Sequence, residues 1–207
     1  MRSSFRSAAA AAALLVLSSC TGTKMVQVWR DPKYDAQPVK RLFLVCIMPN
    51  DRTRVVVENA LAQALLDKGY LSATSTGVFQ GGELDKEKGL EFVRANQIDL
   101  VIIQRMVKHM EMAFMPGTLD YVPPAAYYGG WWPNYGTGDG FWYTSSYVEE
   151  DTSVKTETTV YSAHGGTEKL VWNGVSTTYN IQSAIGGAQS LAHELVRDLE
   201  KAGILVR

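Results

Sequence analysis

Histidine is scarce in this chain, and the few histidines that occur are dispersed. His109, His164 and His193 are the three histidines among 207 residues, and they fall in different predicted elements. A structural zinc site needs about four ligands at close spacing, which this pattern does not supply. His109 and Glu111 could share one face of a strand, but two ligands are too few. The sequence therefore predicts no metal site.

An excess of basic residues is also lacking. The chain has 20 Lys and Arg against 21 Asp and Glu. Two of the arginines lie within residues 1–19, so the chain from residue 20 onward keeps 18 basic and 21 acidic residues and a formal charge of −3. Proteins that bind nucleic acid neutralise phosphates with clustered Lys and Arg. We therefore expect no nucleic-acid partner.

Recognisable catalytic motifs are missing as well. No Gly-x-Ser-x-Gly sequence occurs. The glycine-rich stretch 136–140 follows no buried strand and opens no helix, so it lacks the context that phosphate binding requires. The acidic run 149–151 is typical of a solvated turn, because an acid–base pair needs carboxylates in contrasting environments. We expect no catalytic residue, no cofactor and no enzymatic activity.

The start of the chain lacks an apolar run long enough for a membrane span. Arg2 and Arg6 form a positive start, and residues 8–17 form an apolar run. That run is shorter than the roughly 20 residues that span a bilayer. A positive region, an apolar region and small residues, in this order, are typical of an export signal. We predict a signal peptide at residues 1–19, a short tether at 20–24 and a single domain at 25–207.

Leu17, Ser18, Ser19 and Cys20 resemble the lipobox of bacterial lipoproteins. The resemblance implies cleavage before Cys20, diacylglycerol on the Cys20 sulfur and a further acyl chain, such as palmitate, on its amino group. Each buried methylene contributes about 0.8 kcal/mol, so several acyl chains hold a protein on a bilayer durably. In bacterial lipoproteins an aspartate directly after the lipidated cysteine directs retention in the inner membrane, and this chain has Thr21 at that position. The resemblance therefore implies the outer membrane, at its periplasmic face, with the inner membrane as the alternative.

Cysteine is nearly absent from the rest of the chain. If lipid occupies Cys20, then Cys46 has no partner for an internal disulfide. Cys46 lies in the apolar run 42–48, which predicts a buried strand, and a buried thiol behaves as a small hydrophobic group. The fold is therefore expected to depend on packing rather than on disulfides.

The first half of the chain alternates predicted strands and helices. A first strand is expected at 25–29 and a stronger, buried strand at 41–48. A helix follows, capped by Asn50 or Asp51 and ended at residues 68–69. Its apolar stripe consists of Val57, Ala60, Leu61, Ala64 and Leu65. A strand at 71–76, a loop at 77–82, a helix at 85–96 and a strand from 100, continuing toward 114, complete this half.

The second half predicts a hairpin and a final helix. Residues 153–178 read as a β-hairpin turning at 165–166, with a half-exposed first strand. Asn180 or Ser183 opens the last helix, whose buried stripe consists of Ala188, Leu191, Ala192, Leu195 and Leu199. The whole order predicts an α/β (α+β) fold. It has a single mixed β-sheet, about three packed helices, a late hairpin and a long Gly/Pro/aromatic-rich loop.

That loop, residues 115–143, differs sharply in composition from the rest of the chain. It holds six glycines, four prolines and nine aromatic residues. Glycine and proline at this density predict irregular structure. Aromatic side chains supply large contact areas at binding sites. We predict Trp131 and Trp132 as the principal anchors of a binding surface that also includes Tyr127, Tyr128, Tyr135 and Trp142.

Several short motifs resemble a family of uncharacterised bacterial lipoproteins, similar to domain of unknown function 4136. The motifs are Glu-Thr-Thr-Val-Tyr at 157–161, Lys-Leu-Val-Trp at 169–172, Ser-Thr-Thr at 176–178, Lys-Gly-Tyr at 68–70 and Asp-Leu-Val-Ile at 99–102. The resemblance implies export, lipidation and an α/β fold, and it transfers no catalytic residue.

We therefore expect a lipid-anchored envelope lipoprotein with a structural or accessory binding role. Its expected partners are the membrane, through the N-terminal lipid, and another envelope protein or a cell-wall component. One alternative is a hydrolase of envelope glycan or lipid, which needs two carboxylates, or a nucleophile beside a base, in one pocket. The other is a small-ligand carrier, which needs a sizeable apolar cavity beneath the loop.

Overall fold

The computed structural model describes residues 21–79, 85–107, 125–136, 153–164 and 168–207. The following predictions lie outside these residues: the signal peptide and Cys20, the strand continuation past residue 107, His109, Glu111, residues 137–140, Trp142, the acidic run 149–151 and the turn at 165–166. Within the described ranges, no helix has both the length and the apolar character needed to cross a membrane.

The described residues form six strands, five α-helices and one 3-10 helix. The strands are β1 Gly22–Arg30, β2 Arg41–Ile47, β3 Leu71–Thr74, β4 Leu100–Val107, β5 Val154–Ser162 and β6 Lys169–Tyr179. The α-helices are α1 Asp51–Asp67, α2 Ser75–Val78, α3 Lys86–Ala95, α4 Trp131–Gly136 and α5 Ala184–Lys201, and the 3-10 helix is Ala125–Gly129. The three long helices are those that the sequence predicts, and α2 and α4 are short additions.

All six strands belong to one mixed sheet in the order β1-β6-β5-β4-β2-β3. Strand β2 runs parallel to β3 and β4, and the remaining neighbours are antiparallel. The predicted single mixed sheet and late hairpin are thus confirmed. We call the end of the sheet where β1 begins, and where β2, β4 and β6 end, the upper end; the opposite end is the lower end.

Helices α1 and α5 cover one face of the sheet. The predicted stripe of α5 is fully buried, and that of α1 is buried except for Ala60, which is partly buried. Trp172 of β6 is inaccessible and packs into the same core. Cys46 is likewise a buried free thiol, and burial raises its pKa well above the ordinary value.

The other face is covered by α3 and by residues 125–136. Its core contains Phe43, Val101 and Tyr161 from three neighbouring strands, and all three are inaccessible. Both faces of the sheet centre are therefore dry, which explains why β2 and β4 are continuous apolar runs.

The long helices end where local chemistry favours it. Asn50 caps α1 by accepting a hydrogen bond from the Thr53 amide at 2.9 Å, and Ser183 caps α5 by accepting from the Gly186 amide at 3.1 Å. Both caps satisfy amides that the first helical turn leaves unpaired. After α1, Gly69 takes a φ of +82°, which glycine adopts without a Cβ penalty.

Strand β5 differs from its prediction as a half-exposed strand. Residues 156–162 are all buried, although three of them are threonines. The strand lies between β4 and β6, and helices or aromatic side chains cover both faces. The burial of β5 follows from its central position in the sheet. The alternation of polar residues in the sequence does not reveal that position.

Two other boundaries differ from the sequence prediction. Strand β1 begins at Gly22, so residues 22–24 are part of the sheet rather than of the predicted tether. Strand β3 ends at Thr74, where the Thr74 hydroxyl accepts from the Gly77 amide at 3.1 Å and starts α2. The predicted strand at 71–76 therefore ends two residues too late, and the predicted loop from 77 is wrong at residues 77–78, which belong to α2.

Candidate functional site

Residues 125–136, which we call the aromatic segment, form two helical turns against the sheet. The 3-10 helix leads through Gly130, at a φ of +102°, into α4. Such short helices are not stable alone, and packing of their apolar side chains holds them. The predicted irregular structure is therefore wrong for this part of residues 115–143.

Tyr127 and Trp131 fix the aromatic segment to the sheet. Their side chains are 2% and 0% exposed. The Tyr127 hydroxyl donates to the Glu157 carboxylate at 2.7 Å, and the Trp131 indole meets the Phe43 ring edge-on, with centroids 6.1 Å apart. In this conformation neither side chain is accessible to a partner, so both act as core residues.

The remaining described aromatic residues reach the surface. Tyr128 is 50% exposed, and its ring meets Trp29 of β1 edge-on at 5.9 Å. Trp132 and Tyr135 are half-buried and pack on each other at 5.0 Å. We call Trp29, Tyr128, Trp132 and Tyr135 the aromatic patch. Partial burial and the negative charge of Asp31 raise the pKa of Tyr128 above its ordinary value.

The spacing of these residues contains a signal that sequence reasoning missed. Tyr127 and Trp131 are four residues apart, as are Tyr128 and Trp132. The first pair faces the sheet and the second faces outward, although Gly130, at a φ of +102°, separates the 3-10 helix from α4. The spacing of four aromatic residues therefore separates core residues from surface residues here. Trp29 of the patch was not predicted, because it is distant in the chain.

A buried polar cluster lies beneath the aromatic segment. Glu157 is 5% exposed, and its second carboxylate oxygen accepts from Asn173 at 3.2 Å. The Arg105 guanidinium donates to the Tyr127 hydroxyl at 3.3 Å and lies 5.8 Å from that ring. Buried charges persist where they are paired and hydrogen-bonded. The cluster orients Tyr127 and thereby the surface residue beside it.

A pocket of about 300 Å³ opens at the lower end, between α3 and the β5–β6 connection. It is lined by Leu90, Val93, Arg94, Gln97, Ile98, Asp99, Ala163, His164 and Glu168. The His164 Nδ1 atom lies 3.6 Å from an Asp99 carboxylate oxygen. This pair was not predicted, because His164 and Asp99 meet only through the pairing of β4 with β5.

The geometry gives Asp99 a structural task. Its other oxygen accepts from the Lys40 and Arg41 amides at 2.7 and 2.9 Å, which holds the start of β2. Glu168 in turn accepts from the Trp131 amide at 3.3 Å. Two carboxylates, Asp99 and Glu168, and His164 thus share one pocket, as the hydrolase alternative requires, although both carboxylates are engaged by backbone amides. The described lining has no serine, threonine, cysteine or lysine, and the described residues contain no metal-binding group of three side chains.

No protein-family model and no curated protein matches the chain. Among solved structures, the chain is similar to the PelC dodecamer from Paraburkholderia phytofirmans, at 12% identity and a TM-score of 0.45, over 90% of this chain and 99% of that one. A point variant of the same PelC dodecamer gives the same values. Likeness at this level carries no argument about this chain.

Proposed function

We propose that this protein is a lipid-anchored bacterial envelope lipoprotein that binds a partner without catalysing a reaction. Lipid on Cys20 holds it at the periplasmic face of the outer membrane, and the aromatic patch engages the partner. The lipobox at residues 17–20 supports the anchor. The arrangement of the aromatic segment supports the binding role.

The observation that supports the binding role is that the aromatic segment has both buried and surface aromatic side chains. Tyr127 and Trp131 are locked into the core, and they hold Tyr128 and Trp132 outward. A binding surface whose side chains are already ordered loses less conformational entropy when the partner docks. Tyrosine and tryptophan are also the residue types enriched at interface hot spots.

The position of the patch favours a partner other than the bilayer. Trp29 lies seven residues along β1 from Gly22, where the sheet begins. At about 3.3 Å per residue, the patch lies about 23 Å from the start of the strand, toward the lower end. Another envelope protein or a cell-wall component fits this position better than the membrane that holds Cys20.

The pocket beside His164 supports a second candidate, the binding of a small ligand. Its lining combines the apolar Leu90, Val93 and Ile98 with polar and charged side chains, which suits a small amphiphile. Its volume is at the lower end of the roughly 300–1,000 Å³ of ligand pockets. The pocket does hold two carboxylates, Asp99 and Glu168, but both accept hydrogen bonds from backbone amides that hold β2 and the aromatic segment. We therefore favour binding over hydrolysis.

Crosslinking in intact cells tests the proposed partner site. A photoreactive residue at position 132 should form one dominant crosslink with an envelope protein or with peptidoglycan. The same residue at position 66 is the matched control, because Leu66 is 53% exposed on α1, which covers the opposite face of the sheet. Tyr128→Ala in the position 132 background should remove the crosslink. Equal crosslinking from both positions would contradict a site at the patch.

Lipidation is tested separately by mass spectrometry. The mature protein should begin at Cys20 and carry the mass of three acyl chains. Cys20→Ser should release an intact folded domain from the membrane fraction. An uncleaved N-terminus, or an unmodified Cys20, would remove the anchor from the proposal.

A further inference from the structure

The folded domain begins immediately after the residue expected to carry lipid. The Thr21 hydroxyl donates to the Asn180 carbonyl at 2.9 Å, and Gly22 already pairs with Tyr179 of β6. Thr21 is thus the single residue between Cys20 and the sheet. Two residues of chain extend at most about 7 Å. A lipid on Cys20 therefore brings the upper end of the sheet against the headgroups.

Two exposed apolar side chains lie at this upper end. Tyr179, the partner of Gly22, is 39% exposed. Ile185, in the first turn of α5, is 61% exposed. A single exposed apolar residue on a protein surface is ordinary. Here, the two lie at the end of the sheet where β1 begins.

A contact between α5 and β1 gives the position of Ile185 along the direction of the strands. The Thr23 hydroxyl lies 2.9 Å from that of Ser190, so these two residues are side by side. Ile185 precedes Ser190 by five residues, and at 1.5 Å per residue it lies about 7.5 Å nearer the membrane end. Gly22 precedes Thr23 by one residue, or about 3.3 Å of strand. Ile185 therefore lies about 4 Å beyond Gly22 on the membrane side.

We propose that the upper end of the sheet is a membrane-contacting surface, on which Ile185 and Tyr179 enter the interfacial layer of the bilayer that holds Cys20. Tyrosine suits this layer, since its ring is apolar and its hydroxyl is polar. The strands then stand away from the bilayer, and the lower end with the aromatic patch faces the periplasm. This orientation depends on the proposed lipidation and adds to it the surface in contact.

Spin labels on the lipidated full-length protein test the orientation. Ile185→Cys is compared with Leu71→Cys, which is 60% exposed at the lower end and so matches it in exposure. Both variants carry Cys46→Ala, and Tyr179→Cys gives a second upper site. In phosphatidylethanolamine–phosphatidylglycerol vesicles, nitroxides at 185 and 179 should collide more with oxygen than with a water-soluble nickel complex. The label at 71 should show the reverse.

The outcomes separate the orientation from the proposed function. Equal nickel accessibility at 185 and 71 on acylated protein would overturn the orientation alone. Dipolar broadening between labels at 185 would reveal a second copy on this surface and would also overturn it. If mass spectrometry finds Cys20 unmodified, the lipid anchor and the orientation fail together.

Discussion

Trp131 and Trp132 are neighbours in the chain but occupy different environments. Trp131 is inaccessible, whereas Trp132 is half-buried in the patch. Truncation of a fully buried aromatic residue costs about 3–5 kcal/mol, because it removes apolar burial and leaves a cavity. We expect Trp131→Ala to lower the free energy of unfolding by that amount and Trp132→Ala by about 1 kcal/mol.

Urea unfolding of the two variants measures this difference. Trp132→Ala should keep the native circular dichroism spectrum and lose partner crosslinking, because it changes the patch and not the core. Trp131→Phe serves as the control that keeps much of the buried aromatic volume. Similar losses of stability for Trp131→Ala and Trp132→Ala would mean that the aromatic segment is not docked on the sheet.

Asp31 supports a pH-dependent contact at the end of β1. Its carboxylate lies 2.6 Å from the Lys169 ammonium and accepts from the Lys33 amide at 2.8 Å. Burial raises the pKa of Asp31, but the two hydrogen bonds and the charge of Lys169 outweigh it and hold the pKa below the ordinary 3.8. A depressed pKa stabilises the fold above the unfolded-state pKa, and this stabilisation is lost as the pH falls through the folded-state value.

We expect Asp31→Asn to lower the free energy of unfolding at neutral pH by about 1 kcal/mol, since Lys169 is half exposed. The difference in the free energy of unfolding between Asp31→Asn and the natural protein should shrink as the pH falls below the ordinary aspartate pKa of 3.8. Denaturant unfolding at several pH values measures it. Lys169→Met removes the same contact and should show the same pH dependence; a pH-independent difference would assign the effect of Asp31→Asn to packing.

At the scale of elements, Glu58 explains why β3 is short. Its side chain is inaccessible and lies between α1 and the end of β3. One oxygen accepts from the Cys46 amide and the Ser75 hydroxyl, and the other from the Thr76 amide and hydroxyl. These contacts take the place of strand pairing beyond Thr74 and anchor the start of α2.

Glu58→Gln should therefore destabilise the protein by about 1–3 kcal/mol, because the amide can accept at one atom only and leaves buried donors unpaired. Thermal unfolding measures the loss. Glu91→Gln, a change of the same kind on the exposed side of α3, is the matched control and should leave the melting temperature unchanged. An unchanged melting temperature for Glu58→Gln would show that the four contacts contribute no net stability.

The elements differ in how far the sequence predicts them. Periodicity identifies α1 and α5 with their buried faces, because a helix packs by its own local spacing. Burial of β5 and the buried Glu58 depend on which elements lie beside them, and that information is spread along the chain. Glu58 does lie three residues before Leu61 of the apolar stripe, so its position gave a signal that its charge concealed.

The candidate site shows the same division. Composition alone identifies the aromatic segment, and its residues Tyr128, Trp132 and Tyr135 reach the surface. Composition does not separate them from Tyr127 and Trp131, because the sorting follows from two short helical turns that only the sheet stabilises. Trp29 contacts Tyr128 only because β1 lies beside β6, and no local sequence pattern predicts that strand pairing.

At the scale of the whole molecule, the proposed function puts the lipid attachment at one end of the sheet and the binding surface near the other. Strand β1 connects the two ends, since it begins two residues after Cys20 in the sequence and carries Trp29. The start of β1 is therefore structural, and a flexible tether would be the wrong description of residues 22–24. Two unacylated chains, one beginning at residue 21 and one at residue 25, distinguish these descriptions.

The shorter chain loses the pairing of residues 22–24 with β6 and both hydrogen bonds of the Thr23 hydroxyl, to Thr178 and Ser190. Each lost hydrogen bond costs about 1 kcal/mol. For a domain of this size, 1 kcal/mol corresponds to about 2–4 °C. We expect the chain from residue 25 to melt about 4–10 °C below the chain from residue 21. Thr23→Val in the longer chain should reproduce part of that loss. Equal melting temperatures would show that residues 22–24 behave as a flexible tether. The membrane orientation, which depends on a short connection between Cys20 and the sheet, would then lose its support.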